Sequence, residues 1–138
     1  MKKILLVDDD PNILAALFRQ FRKEYTIETA LGPEQGLTAL ESGDEYAVVM
    51  ADMNMPGMNG VEFLTRAKVI APQVVRLMLT GNADQATAAG AVNEGSVFRF
   101  LTKPCSAEDL THALSTALNQ HQLIVAEKEL LEKTLHGS

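Results

Sequence analysis

Five polar residues stand where apolar runs of the chain stop. Asp8 and Asp9 close Ile4–Val7, Asp52 closes Tyr46–Ala51, Thr80 closes Val74–Leu79, and Lys103 follows Phe98–Thr102. A carboxylate at the end of a buried strand costs several kcal/mol unless a metal, a lysine or backbone donors offset it. Acids gathered in one place repel, and a hard divalent cation relieves that repulsion. Oxygen donors without His or Cys favour Mg²⁺, which keeps several waters and takes only one or two protein carboxylates. Lys103 adds a fixed positive charge, and the Thr80 hydroxyl can hydrogen-bond a phosphoryl oxygen. An ionised aspartate beside a metal is a competent nucleophile, and the metal screens an incoming phosphoryl group. The chemistry open to these residue types is phosphoryl transfer to Asp52, provided the fold gathers them.

The elements between them are readable. Asp10 is placed as an N-cap and Pro11 as a first helical residue, and Ile13, Leu14, Leu17, Phe18 and Phe21 follow at helical spacing. This predicts an amphipathic helix over residues 11–23. Residues 25–29 alternate as a short strand, Gly32-Pro33 breaks the chain, and a helix follows over about 33–41. After the Ser42-Gly43-Asp44 turn, the strand to Asp52 leads to a Met-, Pro- and Gly-rich loop. Asn59-Gly60 then opens a helix that Ala71-Pro72 ends. Residues 74–80 read as the next strand, Asp84 as the cap of a helix to about Asn93, and residues 98–102 as the last strand. A long helix starts near Ser106.

Strands alternating with helices predict a parallel sheet with right-handed crossovers and helices on both faces. In such sheets ligands bind beyond the carboxyl ends of the strands, where strand order reverses. All five polar residues fall on that edge.

Length and composition bound the rest. The 138 residues suit one domain, with 46% hydrophobic and 22% charged residues. No apolar run approaches the roughly 20 residues that cross a bilayer. The apolar stretch after Met1-Lys2-Lys3 is too short for a signal peptide, so a cytoplasmic protein without a membrane partner is expected. A net charge of −6, with Arg66, Arg76 and Arg99 scattered, speaks against direct nucleic-acid binding. The single cysteine, Cys105, excludes an internal disulfide and reads as a small buried filler. Met53, Met55 and Met58 read as loop and core packing, and His112, His121 and His136 as solvated.

The segments ILLVDDDP, VVMADMNMPGMNG, LMLTG and FLTKP occur in one order and at separations that identify a family. Over about residues 1–120 the chain resembles a receiver domain of a two-component response regulator. The resemblance implies an α/β fold: a doubly wound, five-stranded parallel sheet of flavodoxin-like order 2-1-3-4-5, with helices on both faces and here an extended C-terminal helix. It implies that Asp52 is the phosphoacceptor and that a sensor histidine kinase is the partner. Asp8, Asp9, Asp52 and the backbone carbonyl of Asn54 would hold Mg²⁺, with Asp9 the more direct ligand of the acidic pair. Thr80 matches the switch hydroxyl and Lys103 the phosphoryl-binding lysine. Phe100 matches an aromatic switch that is often Tyr; lacking the hydroxyl, it would act by packing alone. Asn54 and Asn82 match positions that tune phosphoryl lifetime, and the Lys103–Pro104 bond is expected to be cis. The chain would then be a signalling receiver, catalysing only its own phosphorylation and dephosphorylation.

Past Asn119 the helical pattern continues to Gly137, and Leu123, Ile124, Leu130, Leu131 and Leu135 make a stripe too apolar for a free helix. Residues 1–120 are therefore read as the receiver and 121–138 as a helical extension. That extension would form a homodimer or lead to an output domain outside this chain. The abrupt ending LEKTLHGS suits the edge of an excised segment. FRFLTKPC with AEKELLEKTL resembles receivers joined to HD-type phosphodiesterase output domains, including those acting on cyclic-di-GMP.

Two rival readings share these residues. The D-x-D in Asp8-Asp9-Asp10 resembles haloacid-dehalogenase-type phosphatases, in which the first aspartate is the nucleophile and the second a general acid. Pro11-Asn12 departs from that family's pattern, no room remains for a cap domain, and Asp52 would lack a purpose. A degenerate receiver serving only as a binding module is the other, and the intact set of five residues argues against it.

Overall fold

The computed structural model describes residues 2–136. Five strands, β1 (Lys3–Asp8), β2 (Thr26–Leu31), β3 (Tyr46–Asp52), β4 (Val75–Thr80) and β5 (Arg99–Thr102), form one parallel sheet in the order β2-β1-β3-β4-β5. Five helices alternate with them: α1 (Pro11–Phe21), α2 (Pro33–Glu41), α3 (Gly60–Ile70), α4 (Gln85–Asn93) and α5 (Ala107–His136). This is the expected doubly wound fold. None of the described helices is long and apolar enough to cross a membrane.

The pleat sorts the strand residues into two cores. Ile4, Leu6, Val48, Met50, Leu77 and Leu79 face α1 and α5, where they meet Leu14, Phe21, Leu110 and Leu114. Their neighbours Leu5, Val7, Val49, Ala51 and Met78 face α2, α3 and α4, where they meet Leu40, Phe63, Leu64 and Ala88. Every residue of β3 is buried. This central strand, covered on both faces, is why its sequence reads as a continuous apolar run with no alternation.

Several boundaries depart from expectation. β2 is Thr26–Leu31, not residues 25–29, because its pairing with β1 continues to Asp8↔Leu31. α1 stops at Phe21, two residues early. β4 begins at Val75 and β5 at Arg99, while the Phe98 N–H still donates to the Arg76 carbonyl at 2.8 Å. Asp84 precedes α4 but makes no capping bond with its side chain. His121 is half-buried, with a buried Nδ1 lacking a hydrogen-bond partner, so the solvated reading fails for it. Burial, then the nearby Lys2, lowers its pKa. It lines a groove of about 760 Å³ between α5 and the Gly43–Tyr46 turn. His112 is exposed, as expected; Gly137, Ser138 and the His136 side chain lie outside the described residues. Met53 and Met55 are buried, and Met58 packs against the same core. Cys105 packs against the core facing α1 and α5 but is only half-buried.

α5 is one helix of 30 residues, about 45 Å long. Ile124 packs on the core facing α1, so it leaves the apolar stripe expected to stay open. Leu123, Leu130, Leu131 and Leu135 are 56–77% exposed.

One close approach matters for the site. The Gly60 N–H donates to the Met53 carbonyl at 2.8 Å, and a Cβ on Gly60 would lie 2.6 Å from the Asp52 carbonyl oxygen. The obstacle is backbone and cannot swing away. Gly60→Ala should therefore cost on the order of 2 kcal/mol, read as a lower urea midpoint with unchanged slope.

Candidate functional site

The order β2-β1-β3 makes the chain leave β1 and β3 toward opposite faces, which opens a crevice at their carboxyl ends. Asp8 and Asp52 end those strands, and Asp9 follows. Each of the three offers a carboxylate oxygen, and these oxygens lie within 4.8 Å of one another. Asp8 and Asp52 are buried and Asp9 is exposed, so the cluster has a dry floor and a wet rim. That donor set suits a hard cation that retains water, and the acidic cluster can bind Mg²⁺.

Local structure aims each group. The Asp8 carboxylate accepts the Asp10 N–H at 2.9 Å, while Asp10 accepts the Asn12 N–H at 2.9 Å as the N-cap of α1. The Asp8 carbonyl accepts from Gly32, whose φ of 88° suits a residue without a side chain. Asn59 caps α3 through the Glu62 N–H at 2.9 Å, which turns the loop after Asp52 back onto the sheet.

Thr80 at the end of β4 and Lys103 just after β5 reach the same edge. The Lys103 ammonium pairs with the Asp52 carboxylate, and the Lys103–Pro104 bond is cis, as expected. The Lys103 N–H donates to the Thr80 carbonyl at 2.8 Å, extending the β4–β5 ladder past the last strand residue. Thr80 is fully buried, and its hydroxyl donates to the Gly81 carbonyl at 3.3 Å. Phe100 is half-buried against the core facing α4.

Burial pushes the Asp8 carboxyl up to about 6, with the Asp52 charge adding to the rise and the Asp10 N–H and Lys103 opposing it. One acid of the cluster is thus strained in its ionised form.

Two residues of the site neighbourhood were not identifiable from sequence. The Asn54 side-chain amide donates to the Asp84 carboxylate at 3.2 Å, across 30 residues of chain. The Gln85 amide reaches both Asn82 at 3.1 Å and the Thr102 hydroxyl at 3.3 Å. An Asp just before a helix carries a strong cap signal, and that signal masked the longer-range contact. No local pattern marks Gln85.

The comparison that decides the family is a match of residues 4–115 to the response regulator receiver domain. The chain belongs to that family. It is 33% identical over 118 residues to the transcriptional regulatory protein GlrR of Escherichia coli K12, covering 85% of this chain and 26% of GlrR. The chain spans about a quarter of the length of the curated relatives it matches. Among solved structures, one named adenylate cyclase from Rhodopirellula baltica is 43% identical with a TM-score of 0.94, over 96% of this chain and 98% of that one. The signal receiver domain of an HD domain-containing protein from Pseudomonas fluorescens Pf-5 is 34% identical with a TM-score of 0.80, over 88% and 97% of the two chains.

The raised Asp8 pKa has a stability consequence. A carboxyl that binds its proton more tightly folded than unfolded contributes stability fully present below about pH 4. That stability is lost as pH rises through about 6. The shift from 3.8 to about 6 corresponds to about 3 kcal/mol. Metal-free protein should therefore lose thermal stability across this window, and Asp8→Asn should flatten the dependence and raise the midpoint at neutral pH.

Proposed function

We propose that this receiver domain accepts a phosphoryl group on Asp52 from the phosphohistidine of a sensor histidine kinase. The observation that carries this reading is the convergence of Asp8, Asp9, Asp52 and Lys103 on one crevice. An Asp52 oxygen attacks phosphorus as the bond to the kinase imidazole breaks, and the imidazole keeps that electron pair. The Lys103 ammonium, already paired with Asp52, neutralises charge on the transferred oxygens. The Thr80 hydroxyl leaves the Gly81 carbonyl for a phosphoryl oxygen, and Phe100 follows by repacking. Asp8, Asp9, Asp52 and the Asn54 carbonyl would hold Mg²⁺, which screens the incoming negative charge when bound. The chain acts catalytically only on its own phosphorylation and dephosphorylation. The α4–β5–α5 face then changes its partner preference, a population shift driven by differential contacts.

Residues 1–120 act as the receiver and 121–138 as the extension that transmits the change. The output is an HD-type phosphodiesterase domain, a reading supported by the receiver from an HD domain-containing protein at 34% identity. The exposed leucines of α5 pair with those of a second copy.

Intact mass after incubation with acetyl phosphate and Mg²⁺ tests the site. One phosphoryl adduct is expected, absent in Asp52→Asn and without Mg²⁺; an adduct that survives in Asp52→Asn would overturn the assignment. Light scattering tests the extension. A dimer should dissociate when Leu130 and Leu135 are both changed to Asp, with the helical signal of the domain retained.

A further inference from the structure

α4 is the helix most weakly held by apolar packing. Of its nine residues only Ala88 and Ala91 are buried, and both are small. Its interior carries Gly90, a poor helix former. What ties its first turn to the sheet edge is polar. Asp84 accepts from Asn54, in the loop after Asp52, and Gln85 donates to Thr102, the residue before Lys103. Two consecutive residues at the start of α4 thus bind Asn54 in the loop after Asp52 and Thr102 at the end of β5, next to Lys103. The Asp84 carboxylate is available for this because it makes no capping bond to its own helix.

We propose that Asp84 is a positioning residue: through the Asn54 amide it clasps the start of α4 to the Asp52 loop, and negative charge gained at Asp52 opens the clasp. The opening rests on the phosphoacceptor reading above; the clasp itself does not. The physical basis of the opening is like-charge repulsion. Asp84 is an acid hydrogen-bonded to the side chain of Asn54, two positions past Asp52, so negative charge added on Asp52 repels it. Once that bond breaks, the Gln85 bridge at the helix start and the small apolar contacts of Ala88, Ala91 and Val92 further along are left to hold α4, so a modest bias shifts its position.

Amide hydrogen exchange of residues 85–93 in the full chain reads the clasp without phosphorylation. Asp84→Ala and Asn54→Ala should each speed exchange roughly threefold or more, and the double variant no further than either alone. Asp84→Asn retains an acceptor and should stay near wild type. Additive effects, or unchanged exchange in Asp84→Ala, would overturn the clasp. Adding acetyl phosphate and Mg²⁺ should bring wild-type exchange up to that of Asp84→Ala, while the uncharged Asp84→Asn stays slow. A labelled wild type whose α4 exchange does not change would overturn the charge-driven opening. Absence of any label, seen by intact mass in the same samples, would instead count against the phosphoacceptor reading and leave the clasp comparison standing.

Discussion

The structure depends on a buried carboxylate. Asp52 ends a strand covered on both faces, where an ionised group is expensive to place. Its ion pair with Lys103 offsets part of that cost, but Asp8 and Asp9 add negative charge at the same point. A cluster built this way holds more negative charge than its one lysine balances. An unbalanced site is poorly suited to being a structural anchor and well suited to recruiting a cation and an electrophile.

The fold creates this imbalance by topology. Strands β1 and β3 are adjacent, and the chain leaves them in opposite directions, so no helix start or loop covers both ends at once. The acids therefore share a crevice that is walled by backbone yet open above. Gly60 shows how closely the wall is drawn, since its backbone packs against the carbonyl of Asp52 itself. Rigid strands fix the carboxylates, while the loops after β3, β4 and β5 carry the groups that would move.

The helices are not held equally to the sheet. α1 and α5 contribute Leu14, Phe21, Leu110 and Leu114 to their core, whereas α4 offers two buried alanines and the partly buried Val92 to its own. A helix docked by small side chains gives up little apolar contact when it shifts, so polar contacts weigh more heavily in its placement. The half-buried Phe100 packs against the same core. On this side small free energies can choose between arrangements.

Much of this was readable from residues alone. Apolar runs ended by Asp8, Asp52, Thr80 and Lys103 located the strands and the edge of the sheet, because a parallel strand buried on both faces must be apolar throughout and polar where it emerges. Asp10-Pro11 and Asn59-Gly60 marked helix starts through local capping geometry, which needs no distant partner. The sequence could not reveal that Asp84 turns from its own helix to Asn54, since a cap signal and a tertiary hydrogen bond look identical in one dimension. Nor could it show that Ile124 and His121 fold back on the domain while Leu123 and Leu130 stay exposed. Helical spacing orders side chains around an axis, but only the packing of α5 against β3 and β4 decides which of those directions is inside.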